Sequence, residues 1–333
     1  MKKRALVTGC CGFIGSNLVK SLLEGGWIVD GVDDLSGGDL GLLDVDKIRV
    51  VPGAVLNIFS KDNEATRDPA TLLVITEDFA ADQVLARIAE KKYDTIFHLA
   101  ANPRVEYSVK NPAAITENNL NKTIRLMTAC IGNVNRFIFA SSSAIYGNVE
   151  ILPTPEDCIP NPQSPYAVQK MAVELFGKNF YDLYNLDFVA LRFFNAYGPG
   201  QYGSSPYSTA ISAWCDKLQN EQPLRSDGDG EQTRDMVYVG DICDAMRVIA
   251  GRDEAFGFEV FNVATGQSLS NNQILAILKE RFPTLTVRHA SERPGDVKHT
   301  LADVRKLYRA TDFRALTSFS DGLRLTLEWW RLV

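Results

Sequence analysis

Hydrophobic positions along the chain, most regularly in its first half, follow two alternating rhythms. Short apolar runs at Arg4–Thr8, Trp27–Asp33, Thr95–Ala100, Arg136–Ser142 and Phe188–Phe193 read as strands buried on both faces. Ser16–Glu24, Asp82–Glu90 and Ala113–Cys130 carry apolar residues at helical spacing, and another helix begins near Tyr166. Strands and helices in alternation predict an α/β fold, a Rossmann-type doubly wound parallel sheet covered on both faces. Residues 40–78 break the rhythm, being weakly patterned and polar, and read as an irregular excursion between two sheet strands. From Ser164 onward the spacing loosens, and Gly198-Pro199-Gly200 opens a Gly/Ser/Pro-rich stretch that runs to Pro206. The expected division is a Rossmann domain over residues 1–190 and, over 191–333, a smaller C-terminal lobe interleaved with it.

Composition narrows the picture. A length of 333 residues suits about two domains. With 35 Lys+Arg against 41 Asp+Glu the net charge is -6, which excludes a nucleic-acid binder held by a basic face. No apolar run approaches the roughly 20 residues that span a bilayer, so no membrane association is expected. Met1-Lys2-Lys3-Arg4 could begin a signal peptide, but the apolar stretch behind it meets Thr8-Gly9 too soon. The cysteines at 10, 11, 130, 158, 215 and 243 form no C-x-x-C pair, and there are three histidines. That argues against a structural metal and for a reduced, cytoplasmic protein. Cys10 and Cys11 read as small residues filling a tight turn, not as a redox pair.

The chemistry begins in that turn. Thr8-Gly9-Cys10-Cys11-Gly12-Phe13-Ile14-Gly15 spaces glycines three apart between a strand and a helix. Such a loop brings backbone N–H groups and a helix N-terminus against a pyrophosphate, where a Cβ would obstruct. Asp33 ends the second strand, where a carboxylate accepts from the adenosine ribose hydroxyls and repels a 2′-phosphate; NAD is the expected cofactor.

Tyr166 and Lys170 share one helix face by their four-residue spacing. A phenol with a pKa near 10 becomes a usable base when an ammonium and an oxidised nicotinamide lie beside it. Ser141-Ser142-Ser143 close a strand at the end that faces the nucleotide crevice, and a hydroxyl there can hold the oxygen whose proton Tyr166 removes.

With these motifs the chain resembles an extended short-chain dehydrogenase/reductase of the NAD-dependent sugar-nucleotide epimerase/dehydratase family. Further matches are His98-Leu99-Ala100-Ala101, Asn119, Leu191 to Pro199, Arg234-Asp235 and Arg293-Pro294-Gly295-Asp296, so that the resemblance runs from Arg4 to about Trp330. It implies that Gly9, Gly12, Phe13, Ile14 and Gly15 serve the pyrophosphate and Asp33 the ribose. Asp78 and Phe79 match the family's adenine-contacting Asp-Ile pair, with Phe in place of Ile. Ala100 and Ala101 line the nicotinamide side, together with Tyr166 and Lys170, while His98 is a packed residue. Ser142, Tyr166 and Lys170 are the catalytic set. Ser143, Asn195, Arg234, Arg293 and Asp296 belong to the sugar-nucleotide side, where guanidinium forks suit a diphosphate.

The resemblance covers several reactions. Dehydratases and decarboxylases of the family carry an acidic residue two positions after the catalytic Ser/Thr, and here that position is Ala144. This favours 4-epimerisation of a nucleotide sugar. Glucuronate epimerase, dehydratase or decarboxylase, and reductase remain alternatives, as does a catalytically silent binder. Thr300 falls where the related epimerases wall the hexose pocket, and its small size favours UDP-N-acetylglucosamine and UDP-N-acetylgalactosamine, with room for UDP-glucose. The resemblance also implies a homodimer, through the helices at 113–130 and from Tyr166. Ile124, Met127, Val173 and Phe176 are candidates for that surface, or for packing on their own sheet.

Overall fold

The computed structural model describes residues 2–54, 68–90, 92–203, 209–291 and 297–333. Its strands are β1 Arg4–Thr8, β2 Ile28–Asp33, β3 Ile48–Pro52, β4 Leu72–Thr76, β5 Thr95–His98, β6 Arg136–Ser142 and β7 Phe188–Phe193, then β8 Asn195–Tyr197, β9 Leu224–Asp227, β10 Thr233–Tyr238, β11 Phe258–Val263, β12 Ser268–Ser270 and β13 Val287–Ala290. Eight of them form one sheet in the order β11-β7-β6-β5-β1-β2-β4-β3. The ladders from β3 through β6 are all parallel. The order turns at β1, which pairs with β2 on one side and β5 on the other: the topological switch point of a doubly wound sheet.

Helices α1 Phe13–Glu24, α2 Asp82–Ala89, α3 Val105–Lys110, α4 Pro112–Thr116, α5 Lys122–Cys130 and α6 Pro165–Tyr184 accompany these strands. The expected helix over 113–130 is present, but a π turn at Glu117–Asn121 interrupts it. The region 40–78 is a correction. It holds two sheet strands, β3 and β4, and not only an irregular excursion. Leu72-Leu73-Val74-Ile75 is a buried run too short to show periodicity, and β3 is an edge strand with Ile48 and Val50 exposed.

The chain divides into two compact units. One comprises residues 1–141, 164–191 and 246–260; the other comprises 142–163, 192–245 and 261–333. The chain passes between the two units five times. Residues 246–260 join the first unit because Arg136, paired with Asp187 at 2.7 Å, donates to the carbonyls of Arg252 and Glu254, while Asp187 accepts from Phe256 and Gly257 N–H. Residues 142–163 join the second because the Thr154 backbone bonds Leu301 and Asp303, and because Tyr146 Oη donates to Asn262 Oδ1 at 2.6 Å.

The first unit's core packs Leu6, Ile96, Met127, Phe137, Phe139, Val173 and Phe188 together. Phe137 and Phe188 stack with centroids 5.6 Å apart. Each such side chain contributes about 1.5–3 kcal/mol by leaving water. Met127 and Val173 therefore face their own sheet, and Ile124 packs against the same core, whereas Phe176 is exposed. The second unit has its own core, in which Tyr197, Trp214, Leu224, Leu278, Leu323 and Trp330 cluster. There β10 pairs parallel with β8 and antiparallel with β12. No helix among the described residues is long and apolar enough to cross a membrane.

Candidate functional site

The first unit holds a tight glycine loop at the switch point. β1 ends at Thr8, and Gly9 turns the chain at φ +71°, a conformation that favours glycine. Gly9 N–H bonds Val32 O at 2.8 Å, and Gly12 N–H bonds Gly9 O at 3.1 Å. A Cβ on Gly15 would lie 2.0 Å from Gly9 O, and one on Gly9 would lie 2.8 Å from Ala100 N, so both glycines are needed for closeness. α1 starts at Phe13 behind Gly12, an N-cap with no side chain to occupy the first-turn N–H groups. These free N–H groups and the absent Cβ atoms suit a pyrophosphate, so the residues present fit NAD.

Asp33 lies at the end of β2, almost buried. Its Oδ2 accepts from Cys11 N–H and its Oδ1 from Leu35 N–H, both at 2.9 Å. Burial raises its pKa, and the two N–H groups oppose that. A carboxylate has about four acceptor positions, so capacity remains for ribose hydroxyls. Cys10 Sγ and Cys11 Sγ lie 3.7 Å apart beside it. The Cys10 thiol is pushed up by its hydrogen bond with Cys11 and by burial, and both cysteines are fully buried, filling the turn. Asp78 accepts from Lys122 Nζ and from Ala80 N–H. The Phe79 ring is buried 4.9 Å from the His98 ring, so the backbone is what Phe79 can offer an adenine.

His98 is a packed residue. Its Nδ1 pairs with Thr8 Oγ1 at 2.7 Å and its Nε2 with Thr123 Oγ1 at 2.8 Å. Burial, helped by the charge of Lys170, pushes its pKa down to about 3.

Ser164 caps α6 by accepting from Ala167 N–H, Pro165 opens the helix, and Tyr166 follows in the first turn. That position favours a phenolate through the helix dipole. Tyr166 N–H donates to Ser108 Oγ at 3.2 Å. One turn on, Lys170 Nζ donates to Ala140 O at 2.6 Å, 4.6 Å over the Phe139 ring and 5.7 Å from the Tyr166 ring centroid. Burial pushes Lys170 down to about 7, with Glu174 pulling the other way. In the π turn, Asn119 is bonded to both backbone groups of Asn102 and donates to Gln169 Oε1 at 3.1 Å. π turns often mark functional segments.

In the second unit Ser142 follows the last residue of the first. Its Oγ accepts from Ala144 N–H at 3.2 Å and so caps the 3₁₀ turn that begins at Ser143, keeping its O–H for another acceptor. Asn195 opens β8 and pairs in register with Met236 of β10. Arg234 on β10 donates to the carbonyls of Thr233 and Lys298. Thr300 N–H bonds Thr233 O and Thr300 Oγ1 accepts from Asp235 N–H, which brings Thr300 beside Arg234. Asp235 is buried and accepts from Thr265, Gly266 and Ala302. Arg293 and Asp296 lie outside the described residues.

The sequence pattern marks Ser141 only as part of the serine strand end and does not mark Gln169 or Glu174. Ser141 Oγ donates to Glu174 Oε1 at 2.5 Å, both buried. The four-residue spacing of Lys170 and Glu174 was the available signal.

Comparison with known proteins places the chain in a family. The family model described as the NAD dependent epimerase/dehydratase family matches residues 5–264. The UDP-glucose 4-epimerase of Mycolicibacterium smegmatis is 31% identical over 98% of each chain. The solved UDP-N-acetylglucosamine 4-epimerase of Methanobrevibacter ruminantium, in complex with UDP-N-acetylmuramic acid, is 36% identical with a TM-score of 0.85, covering 100% of this chain and 99% of that one. The UDP-glucuronic acid 4-epimerase of Bacillus cereus, solved with UDP-glucuronic acid and NAD, is 28% identical with a TM-score of 0.82 over 99% of each. The chain belongs to the NAD-dependent epimerase/dehydratase family.

Proposed function

We propose that this protein epimerises a nucleotide sugar at C4, with UDP-N-acetylglucosamine and UDP-N-acetylgalactosamine as the favoured pair and UDP-glucose/UDP-galactose as a further one. The observation that carries the reading is the buried Tyr166–Lys170 pair, combined with Ala144 where elimination asks for a carboxylate. NAD, when bound, supplies the acceptor and donor of a hydride at C4. Gly9, Gly12 and Gly15 leave room for its pyrophosphate, with Phe13 and Ile14 offering first-turn N–H groups, and Asp33 takes the ribose.

Tyr166 removes the proton of the C4 hydroxyl and returns it after the 4-keto sugar has presented its other face. Lys170 favours the phenolate by its charge. Ser142 donates a hydrogen bond to the same oxygen, and a neutral donor serves both alcohol and ketone. Asn195, Arg234 and Arg293 are assigned to the diphosphate, with Ser143 and Asp296 on the sugar-nucleotide side and Thr300 at the C2 substituent. Similarity to the glucuronate enzyme supports UDP-glucuronate as a second reading. The reading extends to a cytoplasmic homodimer in which the exposed Val109, Val168, Leu175 and Phe176 are candidates for the contact.

The test is a panel of UDP-sugars given to the purified protein without added cofactor, with NAD measured after denaturation. Near-stoichiometric NAD and interconversion of C4 epimers are expected. Tyr166→Phe should lower turnover about 10²- to 10⁴-fold with NAD still bound. Wild-type turnover in a folded Tyr166→Phe protein would sink the mechanism.

A further inference from the structure

Lys170 and Glu174 stand one helical turn apart on α6, and both are at least 95% buried. A buried ammonium is costly unless something nearby favours its charge. The titratable groups facing Lys170 are Tyr166 and Glu174 from its own helix and His98 from β5. β6 offers the Ala140 carbonyl. His98 is held neutral, so in this set Glu174 is the group that favours the ammonium.

The same carboxylate has a second hold on the site. Lys170 grips the carbonyl of Ala140 and Glu174 grips the hydroxyl of Ser141, at 2.6 and 2.5 Å. These are consecutive residues at the end of β6, and the next residue is Ser142. One turn of α6 thus fixes the strand end from which Ser142 is presented.

We propose that Glu174 is a positioning residue for the reaction, keeping the Lys170 ammonium charged and, through Ser141, fixing the strand end that carries Ser142. This rests on the reading of Tyr166 and Lys170 as the reacting pair. A carboxylate that merely satisfied a buried serine could be replaced by an amide without electrostatic consequence. The proposed role depends on the charge.

Glu174→Gln separates the two, since it keeps an acceptor for Ser141 and removes the charge. Without the carboxylate, Lys170 loses its proton at lower pH, and Tyr166 without its cationic neighbour ionises at higher pH. The bell-shaped pH profile of turnover should therefore narrow from both sides. Its alkaline limb should move down by about one unit, a loss of roughly tenfold on that limb. Tyrosinate absorption of the NAD-loaded protein, taken as a difference from Tyr166→Phe, should appear at higher pH in Glu174→Gln. Ser141→Ala keeps the charge, and it should lower turnover severalfold with both limbs in place.

Lowered turnover with unmoved limbs in a folded Glu174→Gln protein overturns the proposal. If that variant does not fold, Glu174→Asp serves: with the charge kept and the reach shortened, turnover falls and the limbs stay, and a shifted limb overturns the idea. Full activity of Tyr166→Phe would instead remove the underlying reading, whatever the Glu174 variants show.

Discussion

Replacing Gly15 with alanine tests the dinucleotide cradle at its tightest point. The added Cβ would stand 2.0 Å from Gly9 O, 2.8 Å from Gly9 C and 3.0 Å from Cys10 Cα. All three are backbone atoms of the same loop, so no side chain can swing aside. Carbon contacts are comfortable near about 3.5 Å, so the 9–10 peptide would have to retreat by about 1 Å or more. It has nowhere to go. Gly9 N–H is tied to Val32 O at 2.8 Å, and Gly9 Cα already lies so close to the 99–100 peptide that a Cβ there would come within 2.8 Å of Ala100 N. Overpacking of this kind costs about 1–3 kcal/mol and opens the loop that is assigned to the pyrophosphate. If that cost falls on the bound form, affinity for NAD drops by about 5- to 150-fold, at roughly 1.4 kcal/mol per tenfold. The assay is NAD carried through purification, followed by calorimetric titration of NAD into stripped protein. Gly251→Ala is the control, because nothing lies within 4 Å of a Cβ there. Gly15→Ala binding NAD within about twofold of wild type would refute the assignment of this loop.

Two further outcomes follow from the same structure. His98 has a folded pKa of about 3 against 6.5 in the unfolded chain, so between those values the unfolded state holds one proton more and stability falls as pH drops, by up to about 1.4 kcal/mol per unit. Asp33, Glu156, Asp235 and Asp241, whose burial raises them, give a slope of the opposite sign between the ordinary carboxylate range and their own higher values, so the His98 slope is best read from urea midpoints between pH 6.5 and 5; His98→Gln should flatten it, and an equal slope in both proteins would contradict the burial argument. Thr300→Tyr adds most of an aromatic ring beside β10 and should suppress N-acetylhexosamine turnover much more than glucose/galactose turnover, read by chromatography of paired substrates; an unchanged ratio removes Thr300 from the pocket wall.

The parts of the site legible in the sequence are those in which function is written locally. The glycine loop, Asp33 at a strand end and the Tyr166–Lys170 spacing each lie within one turn or one strand–helix junction, so a linear pattern carries them. β6 and β7 were legible for the same reason, as continuous apolar runs. What could not be read depends on partners far apart in sequence. Ser141 meets Glu174 33 residues away, Asn119 meets Gln169 50 residues away, and Asp235 meets Thr265 30 residues away. Such pairs leave no periodicity. β3 is hard to read because an edge strand may be polar, and β4 because four apolar residues fit a buried strand or a piece of helix equally well. The π turn has no sequence signature of its own.

The protonation of Lys170 ties chemistry to stability in a direction that follows from burial. Its pKa falls from 10.5 in the unfolded chain to about 7 in the fold, so between these values the unfolded state binds the extra proton and folding stability rises with pH. The form of the protein that carries the ammonium, which the proposed chemistry needs to ionise Tyr166, is therefore the less stable one. The difference across the whole window is on the order of 5 kcal/mol, a large share of a typical domain's net stability. A lysine kept only for packing would be replaced with profit by leucine or methionine at this position. One held in place by Ala140 O, the Phe139 face and Glu174 is better understood as a charge the fold bears for the sake of the reaction. The same logic explains why its neighbours are so thoroughly bonded. His98 is satisfied at both nitrogens and Ser141 is committed to Glu174, and the proposed reading assigns the response to the Lys170 charge to Tyr166.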